Sequence, residues 1–175
     1  MTQLQVLVAF SVVCAIFFSA QGVPYIFYQH EQCAVNKLNV SDLSGDWHLV
    51  YHKDKLPKKT VTKISHLGGR ALQVAVQEDG NLVKTYNLTQ HESLPGKLEN
   101  LVNRGSWTAA IPTFVLSVEP DKYMTLYHAN ENNSDDYAIY SRTAVLSEDN
   151  YNKAIQGLVC LRLVDSSGKP LLHKL

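Results

Sequence analysis

The sequence has no excess of charge of either sign: 16 Lys and Arg stand against 16 Asp and Glu. That balance removes the long-range positive field on which nucleic-acid binding depends, and no basic stripe replaces it. Long apolar runs are also absent. The longest is 13 residues, Val6 to Phe18, whereas a bilayer-spanning helix needs roughly 20. No G-x-S-x-G, H-E-x-x-H, P-loop or G-x-G-x-x-G occurs, so the common nucleophilic, zinc-hydrolytic and nucleotide-binding arrangements have no footprint. The seven His are scattered. His48 and His52 share a strand face but lie about 13 Å apart at roughly 3.3 Å per residue, too far for one metal. Cysteine is scarce, with Cys14, Cys33 and Cys160 alone and none in a C-x-x-C or C-x-x-H spacing, which argues against a thiolate metal site. No enzyme, metal or cofactor is therefore expected.

What is present begins with an address. Residues 1 to 22 carry no charge. The apolar run is followed by Ser19, Ala20 and Gly22, which reads as a secretory signal cleaved before Val23. The expected mature domain is 23–175, secreted to the extracellular space. Cleavage would remove Cys14 and leave Cys33 and Cys160 as one pair, most simply a disulfide in an oxidising compartment. Asn39, Asn87 and Asn132 each open an N-x-S/T sequon. Three of them behind a signal favour a glycoprotein, with each asparagine facing solvent.

The mature chain then reads as short strands separated by turn residues. Candidates are Gly45–Lys53, Arg70–Gln77, Asn81–Thr89, Lys97–Val102, Ser106–Ile111, Thr113–Val118, Lys122–His128 and Asp136–Thr143. Asp79-Gly80, Pro95-Gly96, Arg104-Gly105 and Pro120-Asp121 supply turn chemistry between them. Strands at such short spacing, without intervening helices, are antiparallel neighbours in a barrel or a sandwich. After them the period changes. Ser147 is a candidate N-cap, and Tyr151, Ala154, Ile155 and Leu158 form one apolar stripe of a helix of about three turns. That stripe is expected to cover the outside of the strand assembly. Leu161–Val164 reads as a last short strand and Asp165–Leu175 as a loose tail.

Gly45-Asp46-Trp47 opening the first strand, Arg142 closing the eighth and one helix behind it resemble the lipocalin family, over about Leu43 to Leu158. The chain departs from the family in the turn before the seventh strand, where Glu119-Pro120-Asp121-Lys122-Tyr123 stands in place of T-D-Y. The resemblance implies an all-β fold: an eight-stranded antiparallel up-and-down β-barrel with one C-terminal amphipathic α-helix packed outside. It also implies that Trp47 corks the closed end, with Arg142 lying across it in a cation–π contact of about 0.5 to 2 kcal/mol. An eight-stranded barrel leaves room for one small ligand.

Strand alternation from these anchors gives the expected lining. Leu49 and Tyr51 share the face of Trp47, with His48, Val50 and His52 outside. Leu72, Val74 and Val76 form the apolar face of the second strand. Asn87 must point out if it is glycosylated, so Leu82, Lys84, Tyr86 and Leu88 point in. Val115, Ser117, Met124, Leu126 and His128 are expected inward, as are Ala138 and Tyr140 counting back from Arg142. The connection after the first strand carries Lys53, Lys55, Lys58, Lys59 and Lys63 within 11 residues. Over the open mouth such a cluster would attract an anionic head group, an acidic membrane surface or a protein partner. The opposite lip, Glu131 to Asp136, is acidic.

The function this implies is extracellular carriage or sequestration of a small hydrophobic ligand such as a fatty acid, another lipid, a retinoid or a tetrapyrrole. The alternative is a secreted glycoprotein that acts on a protein partner through its surface, its cavity filled by its own side chains.

Overall fold

The computed structural model of the chain describes residues 24–56, 59–106, 108–129 and 135–175. The expected signal segment, Lys58 and Asn132 lie outside the described residues. Eight strands form a closed antiparallel barrel: β1 (Gly45–His52), β2 (Thr60–Gly68), β3 (Ala71–Glu78), β4 (Asn81–Gln90), β5 (Lys97–Asn103), β6 (Thr108–Glu119), β7 (Tyr123–His128) and β8 (Asp136–Ser141). Each pairs with the next, and β1 closes the ring by pairing with both β8 and β2. A two-residue strand, β9 (His173–Lys174), adds to β1 at Tyr51 and His52, beyond the stretch that β2 covers.

The eight strands are not the eight that turn chemistry marked out. β2 falls in the segment read as a lysine-rich loop. Its inner face is Thr60, Thr62 and Ile64, so an apolar/polar alternation test passes over it; the β-branched run Thr60-Val61-Thr62 was the available signal. Conversely, the expected strands Ser106–Ile111 and Thr113–Val118 are one strand, β6, running through Pro112. The Pro112 carbonyl accepts the N–H of Ala129, so its missing N–H faces the β7 side just past the end of the β6–β7 ladder at Thr113↔His128. The proline therefore costs little pairing there.

Three helical elements cover one outer face: α1 (Pro24–Cys33), α2 (Glu148–Ala154) and α3 (Gln156–Cys160). The expected helix is present as α2 and α3, with Ile155 between them, and Ser147 Oγ caps it by accepting the Asn150 N–H. Its stripe packs on β6 and β7, where Ala154 and Leu158 are fully buried. Gly157 permits the close approach, since a Cβ there would lie 2.3 Å from the Cβ of Leu116. α1 had no counterpart in the sequence reading. It lies over the same face, with His30 stacked on Tyr127 at 4.5 Å and on Phe114 at 5.5 Å. Cys33 at its end is bonded to Cys160 at the end of α3.

The tail is not loose, and Leu161–Val164 is not a strand. Val164 bridges to Pro170, and Asp165 accepts from Ser167 and Lys169 to hold the turn between them. Leu172 then packs against both outer clusters before β9 joins β1.

The closed end is built as the G-x-W resemblance implied. A 3-10 turn, Val40–Leu43, crosses beneath the barrel with Val40 and Leu43 buried. Trp47 is fully buried and donates its Nε1–H to the Leu43 carbonyl at 2.7 Å. Arg142 lies 3.6 Å from the indole centroid. Its guanidinium is held by three carbonyls, of Pro120, Asp46 and Asp42. The unusual turn around Pro120 thus supplies one of the arginine's anchors. Gly45 has φ +108°, and a Cβ there would lie 2.7 Å from Arg142 Nη1. We expect Gly45→Ala to cost about 1–3 kcal/mol from backbone strain alone, read as a fall in the urea midpoint. An unchanged midpoint would show that the backbone there relaxes without strain and that the arginine retreats without loss.

Candidate functional site

The bore has two parts with different contents. Its lower half is solid: Trp47, Ile64, Leu72, Val74, Leu88, Leu98, Val115, Met124 and Leu126 form one buried cluster. Above this floor lies a chamber of about 270 Å³ lined by Val76, Lys84, Tyr86, Asn100, Ile111, Thr113, His128, Asp136 and Tyr140.

Of the residues expected to line a cavity, the structure brings Val76, Lys84, Tyr86, His128 and Tyr140 into this chamber. Leu72, Val74, Leu88, Val115, Met124 and Leu126 face inward as core beneath it. Ala138, paired with Leu126, is buried on the same face. Leu49, paired with Tyr140, borders a gap beside Leu56 and Thr60 where β1 and β2 part.

Expectations are overturned at three places, each by a β-bulge. The β1–β8 register shifts between Leu49 and Tyr51. Tyr51 is thereby turned outward, its ring 4.7 Å from that of Tyr151 on α2, and His52 is turned in. The β3–β4 register shifts between Val76 and Gln77, so Leu82 faces out and is 62% exposed. A bulge inserts one unpaired residue, and with a side-chain period of two that is enough to invert everything beyond it. Ser117 is inverted in the same way by the shift after Val115, and its hydroxyl reaches the Lys153 carbonyl outside the barrel.

Of the chamber's polar residues, Lys84 and His128 were expected, whereas Asn100, Thr113 and Asp136 were missed. His52 Nε2 lies 2.8 Å from Asp136 Oδ1, and His128 Nδ1 lies 2.8 Å from Thr113 Oγ1. Lys84 Nζ sits 4.9 Å over the Tyr86 ring. Asp136 had been read as part of an acidic lip, yet the count from Arg142 through Tyr140 and Ala138 reaches it two residues later. Ile111 and Thr113 were hidden by the false break at Pro112. His52 needed knowledge of the bulge.

These groups perturb one another. Burial opposes charge on His52, but the Asp136 hydrogen bond and charge outweigh it and raise its pKa above the ordinary 6.5. Burial likewise works against charge on Asp136, and His52 more than offsets it, holding the carboxyl below its ordinary 3.8. His128 is driven the other way: burial lowers its pKa below 6.5. By linkage, the raised His52 contributes stability in full below 6.5, and this is lost as pH rises through its folded pKa. The depressed Asp136 contributes above 3.8 and loses this as pH falls through its folded pKa. Neutral His128 contributes above 6.5 and loses this as pH falls through its own lowered value. Acidification from neutrality therefore strengthens the ion pair and weakens the His128 site. We expect Asp136→Asn to lower the His52 titration midpoint, because burial is then opposed only by Asp54. The imidazole Cε1–H chemical shift reads this directly, and an unmoved midpoint would dissolve the pair.

Among the described residues, the lysines of this segment do not form one cluster over the mouth. Lys63 lies in β2 opposite Asp46 at the closed end, Nζ to Oδ2 3.9 Å. Lys53 donates to the Asp135 carbonyl. Lys55 and Lys59 remain at the rim. Among the described residues no group of His, Cys, Asp and Glu is arranged to hold a metal, and no helix is long and apolar enough to cross a membrane. Asn39 and Asn87 are exposed. Asn39 also caps the 3-10 turn by accepting the Ser41 N–H.

No protein-family model matches the sequence, and no curated protein matches it. Solved structures do. Lobster apocrustacyanin A1 superposes with a TM-score of 0.59 at 21% identity, over 81% of this chain and 86% of that one. The tryptamine complex of the amine-binding protein of Rhodnius prolixus gives 0.59 at 16% identity, over 81% and 82%. Insecticyanin from the tobacco hornworm, Manduca sexta, gives 0.56 at 16% identity, again over 81% and 82%.

Proposed function

We propose that this chain, which has the lipocalin fold, is a secreted glycoprotein that carries or sequesters a small amphipathic molecule in extracellular fluid. The observation that carries this reading is the chamber: apolar walls of Val76, Ile111 and aromatic Tyr86 and Tyr140, with His128, Asp136 and Lys84 converging on the same space. With Asn100 and Thr113, five of the nine lining residues are polar, more than in the mostly apolar site usual for small molecules, so the ligand that suits it presents a polar head to the chamber. The one disulfide suits an oxidising compartment, and the solid floor keeps water from entering below. That the amine-binding protein of Rhodnius prolixus holds tryptamine shows that this fold accommodates a ligand with one aromatic and one polar end.

Size narrows the range. A chamber of about 270 Å³ is at or below the lower end of the roughly 300–1,000 Å³ usual for ligand sites. Rigid fused-ring molecules of sterol or tetrapyrrole size exceed it, so the part held inside is a compact polar or aromatic head. Burial at roughly 25 cal/mol per Å² of apolar area supplies the affinity, and the polar groups fix orientation. Native mass spectrometry of the secreted protein before and after organic extraction, followed by titration with 1-aminoanthracene, tests this. A co-purifying small molecule, or probe fluorescence that it displaces, is expected. An empty protein that also ignores the probe would end the carrier reading.

A further inference from the structure

A closed barrel is sealed laterally by backbone hydrogen bonds between every pair of neighbours. Here β1 and β2 part above His48↔Val61, and a second seam, between β4 and β5, is open over most of its length. β3 and β4 pair from Ala71↔Thr89 to Glu78↔Asn81, and β5 and β6 from Lys97↔Phe114 to Asn103↔Thr108. Between β4 and β5 the ladder holds only at Thr89↔Glu99 and Gln90↔Leu98. Continued upward, it would set Leu88 opposite Asn100 and Asn87 opposite Leu101, but the strands part.

A pocket lies where the two strands part. It measures about 470 Å³ and sits between Tyr86, Asn87, Thr89, Glu99, Asn100 and Leu101. Tyr86 and Asn100 belong to the inner face and line the chamber as well. Asn87 and Leu101 belong to the outer face, and Leu101 is 61% exposed. Two cavities, one inside the barrel and one outside, thus lie against the same two wall residues, Tyr86 and Asn100.

We propose that the chamber has a second, lateral mouth between β4 and β5, and that the ligand is an elongated amphipathic molecule. Its polar head sits beside Asp136, His128 and Lys84, and its apolar body leaves past Tyr86 and over Leu101. This rests on the reading of the chamber as a ligand site. The chamber holds a head but not a chain, and the floor beneath is filled by Val74, Leu88 and Leu126. Upward, an apolar body would meet the lysine-bearing rim. Sideways it meets a tyrosine ring and an exposed leucine, where covering apolar surface is favourable at roughly 25 cal/mol per Å².

The test compares two fluorescent probes: cis-parinaric acid, a chain with a carboxylate head, and compact 1-aminoanthracene. Asn87→Cys with Leu101→Cys places thiols on opposite lips and removes the Asn87 sequon, so the double variant stapled by a bifunctional thiol reagent is compared with the same double variant unstapled. Leu101→Arg, on an exposed position that does not support the core, is the second variant. Both the staple and the arginine are expected to weaken cis-parinaric acid about tenfold, or about 1.4 kcal/mol, and 1-aminoanthracene by less than about twofold. If wild type binds both probes and neither variant discriminates between them, the lateral mouth is overturned and the chamber reading stands. If wild type binds neither probe, the chamber reading falls and takes the mouth with it.

Discussion

Trp47→Ala is expected to destabilise the protein by about 3–5 kcal/mol, the range for truncating a fully buried aromatic. Three losses add up at this position. The indole has no exposed surface, so its removal leaves a void at the centre of the lower cluster. The Leu43 carbonyl loses its donor in a place where water does not reach it easily, a penalty of about 1–3 kcal/mol by itself. Arg142 loses the ring beneath it, about 0.5–2 kcal/mol. Arg142→Ala alone should cost less, since the Pro120, Asp46 and Asp42 carbonyls sit near the surface. The double variant should be less destabilised than the sum of the two singles by the coupling between ring and guanidinium. Urea denaturation of the four proteins measures this, and a Trp47→Ala loss below about 1 kcal/mol would mean that the indole is not the cork.

Replacing Cys33 and Cys160 together with serine is expected to cost about 4–5 kcal/mol. The bond spans a sequence separation of 127, so in the chain-entropy account it removes a large share of the unfolded chain's freedom. At a urea m-value of about 2 kcal/mol/M this is a midpoint shift of about 2 M. The native contacts near the bond are otherwise substantial: His30 stacks on Tyr127, and Glu31 lies 3.6 Å from Lys97. A midpoint that moves by less than about 0.5 M would show that packing of α1, rather than the crosslink, holds the two ends together.

The parts of this molecule that could be read in advance are those set by local chemistry. Gly45-Asp46-Trp47 with Arg142, the Ser147 cap with its apolar stripe, and the pairing of Cys33 with Cys160 were all legible and are in place. β2 was missed because its inner face is threonine, and β6 was split because proline usually ends a strand. The total of eight came out right through two errors that compensate. The chamber was half legible: Val76, Lys84, Tyr86, His128 and Tyr140 are in it, and Asp136 was one alternation step away.

The sequence by itself determined an antiparallel strand assembly and its crosslink, because each depends on residue type at a position and on short-range periodicity; the barrel and its corked end were what the lipocalin resemblance implied. Only the tertiary structure decided where that periodicity slips. The shifts near Val50, Val83 and Leu116 are settled by what lies across the sheet: Tyr151 and Leu172 beside the outward Tyr51, solvent for Leu82, and the Ala154 and Lys153 carbonyls for Thr125 and Ser117. The parting of β4 from β5 is of the same kind. Whether two neighbouring strands keep pairing depends on the twist and closure of the whole ring, a sum over eight strands that no single segment records.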